Sequence, residues 1–313
     1  MEKIVSIIIP CYNTSNTLKR CLDSVLNQTY QKLEVIAVND GSTDDTEKIL
    51  KEYEAKFKEN NMTYIHILQE NKGLAGAING GLKVFSGDYL CWIDSDDFLF
   101  DDSVKMRVEF LEKNLDIAVV TSDANFYNYD DLSTPVQKAS DGKTDLYNPY
   151  QFENHLRSKA IFCCGCHMVR SSSFLDVIPS RKIYEARRGQ NWQMLLPVYY
   201  KYKQAFLNIP LYAYILYPNS MSSGDITAEQ YLKRYSEYYD IISNTLIDIN
   251  MSDKERKKYM NIYKGLYARQ KYYVAFSEHD YISILKNIYY MIIYRDFKLS
   301  DVKWMLNVLQ HKN

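Results

Sequence analysis

No run of the 313 residues reaches the ~18 consecutive apolar positions of a membrane span, and charges interrupt every candidate. An excess of either charge is missing too. Lys and Arg number 38 against 39 Asp and Glu, a net charge of −1, which argues against a chain-wide basic field for nucleic acid. Glycine and proline are scarce, at 11 and 7 residues, and 46% of the chain is hydrophobic, so collagen and wholesale disorder are excluded. No G-x-G-x-x-G follows the first apolar run, which speaks against a dinucleotide-binding enzyme. The six cysteines (11, 21, 91, 163, 164, 166) lack the spacing of a disulfide framework and read as reduced thiols in apolar strands or on a helix face. The opening residues carry one acid and one lysine before a strand-length apolar run, and read as structure rather than as a signal peptide.

What the chain does have is alternation. Val5 to Ile9 is a β-branched run stopped by Pro10. Leu18, Cys21, Leu22, Val25 and Leu26 then mark one face of a helix entered through Thr14-Ser15. Leu33 to Val38, Tyr64 to Leu68 and Tyr89 to Ile93 read as further strands. Ile49, Leu50, Tyr53 and Phe57, capped by Ser42 or Thr43, and the stretch Leu74 to Phe85 read as helices. This predicts βαβ units and a doubly wound, mostly parallel sheet, whose ligands lie at the carboxyl ends of the strands. Polar clusters fall at four such ends: Cys11-Tyr12-Asn13, Asn39-Asp40-Gly41, Gln69-Glu70-Asn71 and Asp94-Ser95-Asp96-Asp97. Ordinary turns account for one or two of these; four in consecutive junctions make a site.

Beyond residue 117 the pattern loosens. Ile117 to Thr121 predicts a fifth strand and 123–148 a surface loop. A helix is expected from Asn148-Pro149 to Arg157, an apolar strand over Ala160 to Val169, and a helix over Gly189 to Lys203 interrupted by Pro197. Two short strands, Phe206 to Ile209 and Leu211 to Leu216, follow. A boundary at Tyr217-Pro218 divides residues 1–217 from a helical region, 218–313. There Tyr231, Leu232, Tyr235, Tyr238, Tyr239, Ile242, Leu246 and Ile249 make one stripe. Ser252 with Glu255 predicts a capping box, and 281–297 and 301–311 two more helices. Residues 225–313 carry a net charge of +3 and 13 of the 29 tyrosines. Their stripes suit a core or a subunit interface better than a membrane contact, although Tyr and Lys on an amphipathic surface would also suit weak attachment.

Three carboxylates within Asp94-Ser95-Asp96-Asp97 repel one another unless a cation or solvent separates them. Mg²⁺ or Mn²⁺ takes oxygen ligands and typically bridges one or two carboxylates to substrate phosphates, which favours a metal site over an acidic capping turn. Cys163-Cys164-Gly165-Cys166-His167 matches no closed four-ligand zinc site and reads as buried strand thiols.

Five segments, in order, resemble family-2 glycosyltransferases: Ser6-Ile-Ile-Ile-Pro-Cys-Tyr-Asn13, Leu22-Asp-Ser-Val-Leu-Asn-Gln-Thr29, Glu34-Val-Ile-Ala-Val-Asn-Asp-Gly-Ser-Thr-Asp44, Asn71-Lys-Gly-Leu-Ala-Gly-Ala-Ile-Asn79 and Gly87-Asp-Tyr-Leu-Cys-Trp-Ile-Asp-Ser-Asp-Asp97. The match is dense over the first 100 residues, loose to about 215, and absent from the tail. It implies a GT-A fold, a Rossmann-like, mostly parallel α/β sheet with flanking helices, here followed by a helical extension. It also implies sugar transfer from a nucleoside diphosphate donor, usually with inversion. By the same resemblance Pro10 and Tyr12 line the nucleoside pocket and Asp40 accepts a hydrogen bond from the base, typically uracil. Asn71 and Lys72 approach the base and diphosphate. Asp94, Ser95 and Asp96 form the D-x-D element, with Asp94 and Asp96 as metal ligands and Asp96 the more direct one. The implied partners are a UDP-sugar and a glycan, lipid-linked or glycoprotein acceptor, with Mn²⁺ or Mg²⁺ as cofactor.

Two departures stand out. Ala77-Ile78-Asn79 lacks the arginine many relatives carry there. Gln190-Asn191 replaces a Glu-Asp pair whose Asp serves as general base, and an amide cannot accept a proton as a carboxylate can. Glu185 is therefore expected as the catalytic base, with Asp123 next, and Asn191 and Trp192 as acceptor contacts. Arg187-Arg188 reads either as a phosphate contact or as a solvated pair. The alternative function is a non-catalytic nucleotide-sugar-binding subunit of another transferase. A homo-oligomer built through the tail is expected, placed in the cytoplasm or peripherally at the inner membrane face.

Overall fold

The computed structural model describes residues 2–218, 220 and 224–302. By its internal contacts the chain forms two compact units, Met1–Gly224 and Asp225–Asn313.

In the first unit β1 (Val5–Cys11), β2 (Leu33–Asn39), β3 (Thr63–Leu68) and β4 (Tyr89–Trp92) pair in parallel in the order β3-β2-β1-β4. The crossovers are α1 (Leu18–Leu26), α2 (Thr46–Glu59) and α3 (Gly73–Val84). β1 and β2 are buried along their whole length, so they read as unbroken apolar runs instead of alternating ones. Two glycines let α3 lie close against them. A Cβ on Gly81 would sit 2.6 Å from Ile8 Cγ2, and one on Gly80 3.1 Å from Val38 Cγ1.

The sheet continues through β8 (His167–Arg170), β6 (Ile117–Asn128), β9 (Lys203–Leu216) and β5 (Phe98–Leu99), with β7 (Gln137–Lys138) paired to β6. β8 is antiparallel to both its neighbours, whereas β6 and β9 run parallel. Among the described residues this is one mixed sheet of nine strands. α4 (Ser103–Lys113) packs on β6 and α6 (Ser171–Val177) on β8, while α5 (Phe152–Leu156) packs on α7 (Gln190–Lys201).

Several sequence expectations need correction. β1 does not stop at Pro10. Its residues 6, 8 and 10 face β4, as the bond from Ile93 N to Ile8 O shows, and β4 ends before Pro10 has a partner, so the missing N–H costs no ladder bond. β6 runs to Asn128, absorbing the first residues of the expected loop. β9 is one strand, not two: Pro210 lies opposite Asp123, where β6 carries register shifts. The strand expected over 160–169 is confined to β8. Cys164–Cys166 forms a single 3-10 turn in which Gly165 lies flat on Tyr212, a Cβ there falling 2.2 Å from the ring. Arg107 Nη1 donates to the Gly165 carbonyl at 2.8 Å, supplying the bond a strand partner would have given. The helix expected from Asn148 begins only at Phe152, and Pro197 sits inside α7 without interrupting it.

The second unit is helical: α8 (Ala228–Asp248), α9 (Asp253–Ser277) and α10 (Tyr281–Ile293). Ser252 and Glu255 form the expected capping box, and Thr227 with Gln230 forms another. Ala268, Tyr272, Ala275 and Phe276 of α9 pack against Ile284 and Met291 of α10. The stripe on α8 is buried only in its second half, at Ile242, Leu246 and Ile249, whereas Tyr231 and Leu232 are exposed. The helix expected over 301–311 falls almost wholly outside the described residues. No helix among the described residues is long and apolar enough to cross a membrane.

Candidate active site

Three polar strand ends interlock at one edge of the parallel half. Asn13 sits in the left-handed region (φ 51°), donates its N–H to Ser42 Oγ at 3.0 Å and accepts from Thr43 N at 2.8 Å. Asp40 is 2% exposed and its N–H donates to the Cys11 carbonyl at 2.9 Å. Its carboxylate accepts from Gln69 Nε2 at 2.6 Å and from the Lys72 N–H at 3.0 and 3.1 Å. Asp40 thus joins the ends of β1, β2 and β3 to the start of α3. Pro10 is interior and Tyr12 is 51% exposed. Asn71 and Lys72 are exposed, the Asn71 side chain accepting from Gly73 N at 3.2 Å. The Cys11 thiol is hydrogen-bonded with Ser95, which links this group to the acidic turn.

That turn follows β4, and its three carboxylates are held differently. Asp97 is 1% exposed and accepts from the Tyr212 hydroxyl and from Ile215 N at 2.7 Å, both on β9. The Arg20 guanidinium donates to the Asp96 backbone carbonyl, donates to Tyr217 Oη at 3.0 Å and lies over the Phe98 ring at 5.8 Å. Thr17 Oγ1 donates to the Ser95 carbonyl at 3.2 Å. Asp94 is left with a thiol, Cys164. Burial, and then the charge of Asp96, pushes Asp94 up to about 7 against the Cys164 hydrogen bond. Burial also raises Asp96 against the pull of its own backbone and Arg20, and raises Asp97 far above the carboxylate range with help from its two neighbours. Among the described residues no three His, Cys, Asp or Glu side chains converge to hold an ion alone. Asp94 and Asp96 instead offer two oxygen-donor groups whose raised pKa values a divalent cation would lower, the set Mg²⁺ or Mn²⁺ takes together with phosphates.

The acceptor-side expectations fare differently. Trp192 is only 7% exposed, with Nε1 donating to the His155 carbonyl at 3.1 Å and its ring edge-on to Phe162 at 5.2 Å. It packs in the interior and offers no open face to a sugar. The Asn191 side chain is engaged by Trp92 and Phe162. Glu185 is exposed and pairs with Lys182 at 3.4 Å. Its segment is pinned along α3: Asn79 exchanges two bonds with the Ile183 backbone, at 2.8 and 2.9 Å, and Ala75 N donates to the Ala186 carbonyl at 3.4 Å. Asp123 cannot serve as a base. It is fully buried at the β6 bulge, where its carboxylate accepts from Ala124 N, Ser140 N and Ser140 Oγ at 2.8, 3.0 and 2.6 Å. Arg20 and Tyr212 went unnoticed in the sequence because neither stands in a motif and they meet the turn from α1 and β9, 76 and 115 residues away.

The sequence model described as "Glycosyl transferase family 2" matches residues 6–210. The chain belongs to that family. Two relatives of this family-2 chain are glycosyltransferase GlyA of Streptococcus pneumoniae serotype 4 and chondroitin synthase of Escherichia coli. GlyA is 31% identical over 230 residues, which is 70% of this chain and 31% of GlyA. The synthase is 36% identical over 168 residues, which is 53% of this chain and 22% of the synthase. The chain therefore spans less than a third of either relative. Among solved structures, S. aureus TarS 1–349 in complex with UDP-GlcNAc aligns over 93% of this chain and 91% of its own, with TM-score 0.61 at 15% identity. A Pyrobaculum calidifontis mannosyltransferase in complex with GDP-Man and Mn²⁺ aligns over 94% and 83%, with TM-score 0.55 at 14% identity. At these identities the likeness shows the fold, and it agrees with the GT-A expectation.

The buried acids make the metal-free family-2 chain sensitive to pH. Asp94 titrates at about 7 when folded and at its ordinary 3.8 when unfolded, so its contribution to stability is full below 3.8 and is lost as pH rises through 7. In EDTA the Tm is expected to fall between about pH 4 and about pH 7. Asp94→Asn, which cannot ionise, is expected to fall less. Equal slopes for the two proteins in thermal melts would contradict this assignment.

Proposed function

We propose that this chain transfers a sugar from a UDP-sugar, with inversion, to a hydroxyl of a glycan, lipid-linked or glycoprotein acceptor, and that Asp94 and Asp96 hold the Mn²⁺ or Mg²⁺ this requires. The observation that carries the reading is the buried acidic turn at the carboxyl end of β4, beside the Asp40 cluster. When bound there, the cation would neutralise charge developing on the departing diphosphate. The chain's own residues supply the rest. Asp40 is fixed by Gln69 and Lys72, and a carboxylate retains acceptor capacity beyond those bonds for a uracil N–H. Asp97 anchors the turn to β9 and leaves the other two acids to the ligand. The acceptor hydroxyl's proton passes to Glu185, whose pair with Lys182 is exposed and costs little to open. The fold neighbour bound to UDP-GlcNAc supports the donor side of this reading, and the one bound to GDP-Man and Mn²⁺ supports the metal.

The test is a panel of UDP- and GDP-sugars assayed for metal-dependent turnover. Turnover of a UDP-sugar is expected, lost in EDTA and lowered at least about a hundredfold in Asp96→Asn. Glu185→Gln should slow transfer while leaving UDP affinity intact. Full activity in EDTA would overturn the metal assignment. Binding of UDP without turnover of any donor would favour the non-catalytic subunit instead.

We further propose that the helical unit pairs with a second copy through α10. Its outer face presents Ile282, Leu285, Tyr289 and Ile292, between 49% and 81% exposed together with Ile293, at alternating three- and four-residue steps with Lys286 as the helix's one charge. Sedimentation velocity is expected to show a dimer for the full chain and a monomer for Leu285→Glu/Ile292→Glu. A monomeric wild-type chain at tens of micromolar would remove this proposal.

A further inference from the structure

Asn191 lies in the first turn of α7, and its side chain joins two segments remote in sequence. Oδ1 accepts from Trp92 Nε1 at 2.7 Å, and Nδ2 donates to the Phe162 carbonyl at 2.5 Å. An indole N–H can only donate and a carbonyl can only accept, so these partners fix the amide's orientation and demand one donor and one acceptor from it. Trp92 is 1% exposed, ends β4 and stands two residues before Asp94. Phe162 leads directly into Cys163-Cys164, and the Cys164 thiol lies beside Asp94 and 3.5 Å from Tyr212 Oη. The Asn191 backbone carbonyl meets His155 Nε2 at 3.3 Å, and the His155 ring stacks on Phe162 at 4.4 Å. One side chain therefore ties together the strand that delivers the acidic turn and the loop that walls it.

We propose that Asn191 is a positioning residue that holds the Asp94-Ser95-Asp96 turn in register for its ligand, a role that rests on the reading of that turn as the metal–diphosphate site. A carboxylate at this position would set an acceptor-only, charged group against the Phe162 carbonyl inside the protein and break the brace. The amide is what the geometry requires. Gln190-Asn191 is thus a rebuilt support under the turn, and the proton acceptor belongs elsewhere.

The experiment combines calorimetry and tryptophan indole NMR on the full chain. UDP is titrated with Mn²⁺ and, separately, in EDTA. Asn191→Ala, Asn191→Asp and Trp92→Phe are each expected to weaken UDP binding in Mn²⁺ about tenfold, the usual scale for groups that orient metal ligands, and to leave binding in EDTA unchanged. The double variant Asn191→Ala/Trp92→Phe is expected to lose no more than the worse single one, because both remove the same bond. Trp92→Phe keeps an aromatic ring in place and serves if the Asn191 variants fold poorly. Wild-type affinity in Asn191→Asp, equal losses with and without Mn²⁺, or losses that multiply in the double variant would overturn the proposal. If the wild-type chain binds no UDP with Mn²⁺, the functional reading fails first. The Trp92 indole N–H resonance, assigned through Trp92→Phe, then decides the brace alone: a shift in Asn191→Ala keeps it, and an unmoved resonance removes it.

Discussion

Crowding three carboxylates into one buried turn is the electrostatic constraint around which the first unit is arranged. Left alone, Asp94, Asp96 and Asp97 would oppose one another's ionisation, and burial raises all three. The protein meets this with separate partners. Asp97 is withdrawn into hydrogen bonds from Tyr212 and Ile215, so it acts as an anchor. Arg20 brings a positive charge to the Asp96 backbone without capping its carboxylate. Asp94 keeps a weak thiol partner. That leaves Asp94 and Asp96 as the pair the proposed cation would use.

That division of labour depends on long-range features of the fold. Tyr212 and Ile215 reach the turn only because β9 continues past Pro210, and it continues because β6 bulges at Asp123 opposite that proline. Asp123 in turn spends its carboxylate on Ser140, closing the loop that follows β6. On the other flank, Gly80 and Gly81 seat α3 against β1 and β2, and Asn79 draws the 183–186 segment alongside it. Asp123 and Asn79 thus serve as structural ties.

The parallel half was legible in the sequence because each of its elements obeys one local period and ends in a polar cluster. The acidic turn was legible for the same reason, as were the family and the GT-A fold. What failed was non-local. Pro210 reads as a break unless the bulge on its partner strand is known. Residues 160–166 are apolar because most of them are buried, yet Arg107 and Tyr212, far away in sequence, take the place of a strand neighbour. Trp192 has the composition of a sugar platform and the burial of a core residue. Asn191 looked like a lost base because its partners, 99 and 29 residues away, cannot be seen from its neighbours.

If the acidic turn and the nucleotide share one cation, the binding of each depends on the other. Thermodynamic linkage measures it directly: UDP affinity at a series of Mn²⁺ concentrations, and Mn²⁺ affinity at a series of UDP concentrations, on the same protein. Shared coordination requires each ligand to tighten the other by the same factor, about tenfold or more, and requires that factor to collapse toward one in Asp94→Asn. UDP binding that is indifferent to Mn²⁺ in the wild-type chain would contradict the account.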